Sequence, residues 1–311
     1  MAEQKVSENT GQSPWMLGGL SWKQLLTRVY NEFNNDNVLD SAAALAYYFF
    51  FALFPLIFFL VAVLGIVGGQ SMGNALVDQL TRMMPGSASQ LVHETVQKTL
   101  QNSGGGKLSF GVALALYSAA AGMSAMIAAL NNVFEVRESR SWLKAKALAL
   151  GLTLFNGFLV IVGIVLLLYG GKIAESVGVG SWLVTLSKIA QYPAAIFFLL
   201  LSYSVIYYFA PNIDHPQWQW VTPGSALGVF LWLIASFALR EYLHLTNAYT
   251  STCGALGAVM ILMLWFYVTA LAILIGGEFN SEIEKAAGAK EKDNPQHRAA
   301  GRQVSPQRPA A

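Results

Sequence analysis

Long apolar stretches, separated by short polar or turn-rich segments, make up most of the chain between residues 41 and 278. The first, SAAALAYYFFFALFPLIFFL at Ser41–Leu60, carries no charge, and the uncharged stretch continues to Gly69. Twenty helical residues cover about 30 Å, the thickness of a bilayer's hydrocarbon core. The stretch is too long and starts too far into the chain for a signal peptide. It therefore predicts a membrane-spanning helix.

Six such stretches predict an all-α, polytopic membrane helix bundle, because a helix satisfies its own backbone polar groups in lipid. The predicted spans are residues 41–69, 108–134, 146–170, 186–210, 223–245 and 253–278. They fall in one membrane domain over residues 14–284. The polar ends, 1–13 and 285–311, are predicted to be disordered tails.

Two further segments have amphipathic patterns. Before the first span, one helical face carries Trp22, Leu25, Leu26, Val29 and Phe33, which predicts an interfacial helix on the membrane surface. Asp40 follows and is predicted to lie in the cap of the first span, with a functional carboxylate as the alternative. Residues 70–107 predict two short helices on the periplasmic side, where they could bind an envelope protein.

Composition and charge agree with a membrane protein. Charged residues make up 12% of the chain, against about 25% in soluble domains. Thirteen Lys and Arg residues fall on the side of the two termini and six on the other. The positive-inside rule then predicts that both termini are cytoplasmic. The net charge of +2 gives no indication of nucleic-acid binding.

No enzyme motif has the context it needs. Gly69–Gly73 matches G-x-S-x-G, but it ends a predicted membrane helix rather than joining a strand to a helix. The four histidines are scattered, with no zinc-binding spacing. The sequence therefore predicts no catalytic residue, no metal and no cofactor. It also contains no ATP site, so active transport would need an ion gradient or a partner.

Prolines, small residues and charges within or beside the spans are the remaining candidates. Pro55 and Pro193 are predicted to kink their helices, either for packing or to form a cavity. Gly224 and Gly228 are four residues apart, a spacing that lets helices approach closely. Glu278, near the inner end of the last span, either faces a partner or extends to the interface. The same alternatives apply to the Arg240-Glu241 pair at the outer end of span five.

Several segments resemble the YihY/virulence factor BrkB family. They are AAALAYYFFFALFPLI in the first span, YSAAAGMSAMIAALNNVFEV at 117–136, YYFAPN at 207–212, WQWVTPG from Trp218 and WFYVTALAILIGGEFNSEIE at 265–284. The resemblance implies a bacterial inner-membrane protein of six helices. The motif positions that it implies are Pro55, Asn131, Pro211, Asn212, Pro223, Gly224, Gly254, Trp265, Tyr267, Gly276, Glu278 and Asn280. The ribonuclease label that this family once carried has no chemical support in the sequence.

These observations favour a transporter-like protein that binds or moves a lipid or other amphipathic solute. Membrane lipids are its expected partners, and nucleic acid is not. The residues expected to line or shape an intrabundle cavity are Tyr47, Pro55, Asn131, Asn212 and Glu278. One alternative is a structural or envelope-assembly protein that acts through residues 70–107. An enzyme is the third hypothesis.

Overall fold

The computed structural model describes residues 14–67, 105–176, 181–213, 219–245 and 248–293, and every regular element within these ranges is helical. A 3₁₀ helix, Pro14–Gly19, comes first. The α-helices that follow are α1 (Trp22–Asn35), α2 (Val38–Val67), α3 (Gly105–Val133), α4 (Trp142–Ser176), α5 (Ser181–Phe209), α6 (Pro223–Leu245) and α7 (Ala248–Asp293). The all-helical prediction is confirmed for these ranges. Residues 1–13, most of the 70–107 segment and residues 294–311 lie outside the described part of the chain.

Four of these helices contain a segment long and apolar enough to cross a membrane. The segments are Trp142–Gly163, Thr185–Phe209, Pro223–Tyr242 and Val259–Ala287. A shorter apolar segment, Val38–Leu53, lies in α2. Helices α2 and α3, with 30 and 29 residues, match the positions of the first two predicted spans.

The last helix is longer than the sequence predicts. Helix α7 continues past Glu278 to Asp293, beyond the predicted end of the membrane domain at residue 284. The extension is stabilised by packing and charge. Ile283 and Ala286 are buried, and Lys285 pairs with Glu135 across the bundle.

One end of the bundle gathers the α1–α2 turn, the α3–α4 loop, the α5–α6 connection and the last turns of α7; we call it the α1 end. Hydrogen bonds between side chains and backbone link these segments. Arg140 in the α3–α4 loop donates to the carbonyl of Ala210 after α5 at 2.7 Å, and Asn280 of α7 accepts from the Gly224 N–H of α6 at 2.8 Å. Helix α7 lies at the centre and packs against α1, α2, α3 and α6.

Glycines allow α6 and α7 to cross closely, as the small-residue spacing predicts. A Cβ atom on Gly224 would overlap the Gly276 carbonyl oxygen, and one on Gly228 would lie 3.0 Å from the Ala272 carbonyl oxygen. Thr222 begins α6 as an N-cap: it accepts from the Ser225 N–H at 3.0 Å, and the Ser225 hydroxyl accepts from the Thr222 N–H at 2.9 Å. This reciprocal cap explains the Thr-Pro-Gly-Ser sequence at the start of α6.

The apolar face of α1 packs against α7. Leu25 and Val29 are buried in a cluster with Phe279 and Ile283. Trp22, on the same helical face, is 64% exposed. A capping box between Ser21 and Gln24 begins the helix. The apolar face of α1 is therefore buried against α7 at Leu25 and Val29 and exposed at Trp22.

Candidate functional site

An open groove of about 520 Å³ lies between α2, α3 and the start of α4. Alanine is the most frequent residue in its wall, and the small alanine side chains leave the groove unfilled. The lining residues are Ser41, Ala44, Leu45, Tyr48, Ala121, Ser124, Ala125, Ala128, Ala129, Asn132 and Lys146. A volume of this size is typical of small-molecule sites. An apolar wall with one cation suits a ligand that has an apolar body and a negative group.

Lys146 supplies that cation. Its Nζ donates to the Ser124 hydroxyl at 3.1 Å and lies 5.9 Å from the centre of the Tyr117 ring. It forms no salt bridge with any carboxylate of the described residues. Lys146 sits one turn after Trp142, the first residue of α4, so its ammonium group lies near the α1 end of the bundle.

Exposed tryptophans mark the same end. Trp22 begins α1, Trp142 begins α4 and Trp220 precedes α6, and each is more than 60% exposed. At the opposite end Trp182, near the start of α5, is also exposed. Tryptophan is enriched at the two membrane–water interfaces, and Lys146 lies at the end of the bundle that carries three of these four tryptophans.

Asn131 and Asn212 connect the α3–α4 loop to the end of α5. Asn131 Oδ1 accepts from the Asn212 N–H at 2.8 Å, and its Nδ2 donates to Glu138 at 3.0 Å. Asn212 Nδ2 donates to the Ser139 hydroxyl at 2.7 Å. Burial acts to raise the pKa of Glu138, but hydrogen bonds from Arg140 and Asn131 lower it overall. Both asparagines thus use their amides to join helices.

A cluster of charges surrounds the last turns of α7. Lys285 Nζ lies 2.8 Å from Glu135 and 2.9 Å from Glu282. Arg28 of α1 lies 3.8 Å from the other Glu282 oxygen. Glu135 ends α3 at φ 52°, where its N–H and that of Val136 bond the last carbonyls of the helix in a Schellman motif. The ion pairs join α1, α3 and α7.

Beside this cluster, two carboxyls face each other. Glu278 is fully buried, and no described donor bonds either of its carboxyl oxygens or Asp36 Oδ2. Asp36 and Glu278 lie close enough for one carboxyl to bond the other, and such a bond forms only when one of the two groups carries a proton. Burial raises the pKa of Asp36. The bond to Glu278 and the charge of Lys285 oppose this, whereas Glu135 and Glu32 add to it.

The remaining predicted site residues lie mainly at helix contacts. Tyr48, and not Tyr47, lines the groove; Tyr47 is 52% exposed and contacts Phe51. Trp265 contacts Trp232 of α6. The other predicted positions are distributed over four parts of the fold. Pro55 lies within α2, Gly254 and the half-buried Tyr267 lie within α7, Pro211 is buried after α5, and Pro223 is buried as the first residue of α6.

Sequence reasoning missed several polar residues that the structure brings together. In the sequence, Lys146 contributes only to the distribution of Lys and Arg between the two sides, and no pattern singles out Asp36. Asn156 of α4 and Ser202 of α5 are both buried, and the serine hydroxyl donates to the asparagine at 2.6 Å. Arg240 and Glu241 are exposed near the end of α6. A polar residue within an apolar stretch was the available signal for Asn156.

Within the described residues, no group of three or more His, Cys, Asp or Glu side chains could hold a metal ion. A family model for Virulence factor BrkB matches residues 29–301. The chain belongs to the Virulence factor BrkB family. The match includes the groove, the two carboxyls and all of α7, so the site described above lies within the part that defines the BrkB family.

Curated BrkB relatives carry two kinds of name. The chain is 28% identical over 276 residues to the Putative ribonuclease-like protein YfkH of Bacillus subtilis, covering 88% of this chain and 99% of that protein. It is 29% identical over 165 residues to a UPF0761 membrane protein of Tolumonas auensis, covering 50% of each chain. A UPF0761 membrane protein of Xanthomonas campestris is 26% identical over 277 residues, or 82% of this chain.

The chain spans 50% and 59% of the lengths of those two UPF0761 proteins. No solved structure matches it. Family membership, the name of these relatives and four apolar helices together identify the chain as a membrane protein.

Proposed function

We propose that this BrkB protein binds an anionic phospholipid, with the acyl chains along the alanine wall of the α2–α3 groove and the headgroup at Lys146. The observation that carries the proposal is a lysine without a carboxylate partner among the described residues, set at one end of an apolar groove. A phosphate group would supply the missing counter-charge. The tryptophans at this end support placing it at headgroup level.

The proposed membrane arrangement has six spans, which correspond to α2–α7. Both termini lie on the cytoplasmic side of the bacterial inner membrane, as the distribution of Lys and Arg favours. Supporting this topology, the α1–α2 turn, the α3–α4 loop and the end of α7 share one end of the bundle. Helix α1 lies at the interface, with Leu25 and Val29 on α7 and the exposed Trp22 in the headgroup region.

The lipid is bound or moved within the bundle in this proposal, which gives the protein a transporter-like role. The groove is open rather than enclosed, and all three helices that wall it are spans of the proposed bundle. A lipid could therefore enter from the bilayer without leaving apolar surroundings. No catalytic step is needed. The ribonuclease-like wording belongs to the name of the Bacillus subtilis relative.

The test compares spin-labelled phosphatidylglycerol with spin-labelled phosphatidylcholine by electron paramagnetic resonance on the purified full chain in detergent. Wild type should immobilise the anionic lipid preferentially. Lys146→Gln should reduce that preference about fivefold, because one cation at a lipid surface contributes about 1 kcal/mol. Lys144→Gln is the matched control, since Lys144 is exposed on the same helix. Equal preference in wild type and Lys146→Gln would contradict the proposal.

A further inference from the structure

We infer that Asp36 and Glu278 form a proton-binding site that is coupled to the α2–α3 groove through the α1–α2 turn. The coupling rests on the function proposed above, whereas the proton site itself does not. The ligand is a single proton shared between two carboxyls. The site uses residues from two elements far apart in sequence, the end of α1 and the middle of α7.

The geometry of the pair requires a proton. Glu278 is 0% exposed, and both of its carboxyl oxygens and Asp36 Oδ2 lack any described donor. Two ionised carboxylates held in contact would repel each other, and each would lose its hydration without compensation. One proton between them converts the contact into a hydrogen bond and leaves a single negative charge. Loss of that proton leaves two charges on facing groups.

Charged neighbours of the pair change how strongly Asp36 holds this proton. Glu32 of α1 and Glu135 after α3 disfavour ionisation of Asp36, whereas Lys285 of α7 favours it. Lys285 is itself held by two carboxylates, Glu135 and Glu282, and Arg28 also pairs with Glu282. The two cations of the cluster are thus engaged by other acids. The shared proton is therefore the main factor that offsets the repulsion between the Asp36 and Glu278 carboxyls.

A short path of contacts joins the pair to the groove. Asn132, which lines the groove, donates from Nδ2 to the Asp36 carbonyl at 3.0 Å. Asp36 ends α1, and Asn37 follows at φ 48° before α2 begins at Val38. Ser41, in the first turns of α2, also lines the groove. Repulsion between two ionised carboxyls would therefore act directly on the turn that positions α2.

The first experiment detects the proton by infrared spectroscopy of the purified full chain. We expect a protonated-carboxyl C=O band that persists above the ordinary range of Asp and Glu, about pH 4, and disappears as the pH is raised further. Glu278→Gln and Asp36→Asn should each remove this band. Asp40→Asn is the control, since Asp40 is exposed in the first turn of α2. Absence of the band from wild type, or its persistence in both variants, would overturn the inference.

The second experiment tests the coupling with spin-labelled phosphatidylglycerol, whose phosphodiester keeps one charge across this pH range. Affinity should fall by about fivefold or more, the usual range of coupling between sites, as the pair loses its proton and the α1 end becomes more negative. Glu278→Gln should bind the lipid with no such pH dependence. A wild-type affinity that stays constant while the infrared band titrates would overturn the coupling. Failure of wild type to bind lipid at any pH would instead contradict the proposed function and leave the proton site standing.

Discussion

The close crossing of α6 and α7 gives the most quantitative prediction, through the substitution Gly224→Ala. The added Cβ would overlap the Gly276 carbonyl oxygen and lie 2.5 Å from the Asn280 side chain. Asn280 accepts from the Gly224 N–H at 2.8 Å and donates to the Thr222 hydroxyl at 2.9 Å. Any relief of the overlap must therefore separate the two helices and lengthen these bonds.

Overpacking of this kind costs about 1–3 kcal/mol, and loss of one hydrogen bond adds about 0.5–1.5 kcal/mol. Alanine's better helix propensity offsets about 0.5–1 kcal/mol of this. The expected net loss in the free energy of unfolding is thus about 0.5–4 kcal/mol. Gly276→Ala should behave similarly, because its Cβ would overlap the Tyr207 hydroxyl, which donates to the Ile273 carbonyl.

The assay is equilibrium unfolding in mixed micelles of mild detergent and dodecyl sulfate, followed by circular dichroism. Gly151→Ala in α4 is the matched control, because a Cβ there meets no atom within 4 Å. This control should be neutral or slightly stabilising. If Gly224→Ala and Gly151→Ala had the same stability, the close crossing would not exist as described.

Three further predictions concern polar contacts. Ser202→Ala should lower the free energy of unfolding by about 0.6–2 kcal/mol, because it leaves Asn156 without its interhelical donor. Ser204→Ala should be neutral, because the Ser204 hydroxyl has no partner among the described residues. Equal losses in the two variants would contradict the role of the Ser202–Asn156 bond. Arg140→Ala should cost about 1.5–3 kcal/mol in the same unfolding assay, because it removes the donors to the carbonyls of Phe209 and Ala210 at the end of α5. No loss would show that the loop is held by other contacts. Burial raises the pKa of Asp36 above its ordinary value of 3.8, so the stability that protonated Asp36 contributes should be complete below pH 3.8 and lost as the pH rises through the raised pKa. Asp36→Asn should remove this pH dependence. A wild-type stability that increases with pH over the same interval would contradict the prediction.

Much of the fold could be predicted because its signals are local. Uninterrupted apolar length predicted helices where α2 to α7 occur, and the spacing of Gly224 and Gly228 predicted a close helix crossing. The end of α7 was not predictable in this way. Residues after Glu284 are polar enough to suggest a tail, but Lys285 and Ala286 are held by contacts from elsewhere in the fold.

The candidate site was less predictable because it depends on how the helices are rotated against each other. Asp36 and Glu278 are far apart in sequence, and nothing in either local pattern indicates that they meet. Glu135 occupies a left-handed position at a helix end where glycine is usual, so its place in the charge cluster had no sequence signal. In the sequence Lys146 is like any other lysine near a span, and only the fold shows that it lines the groove beside Ser124.

Native mass spectrometry of the protein released from its own membrane tests the central claim most directly. The account predicts that wild type retains a phospholipid of defined mass carrying an anionic headgroup. Lys146→Gln should lose that lipid, and Lys144→Gln should keep it. Wild type without bound lipid, or the same retained lipid in wild type and Lys146→Gln, would contradict the assignment of the groove as an anionic-lipid site.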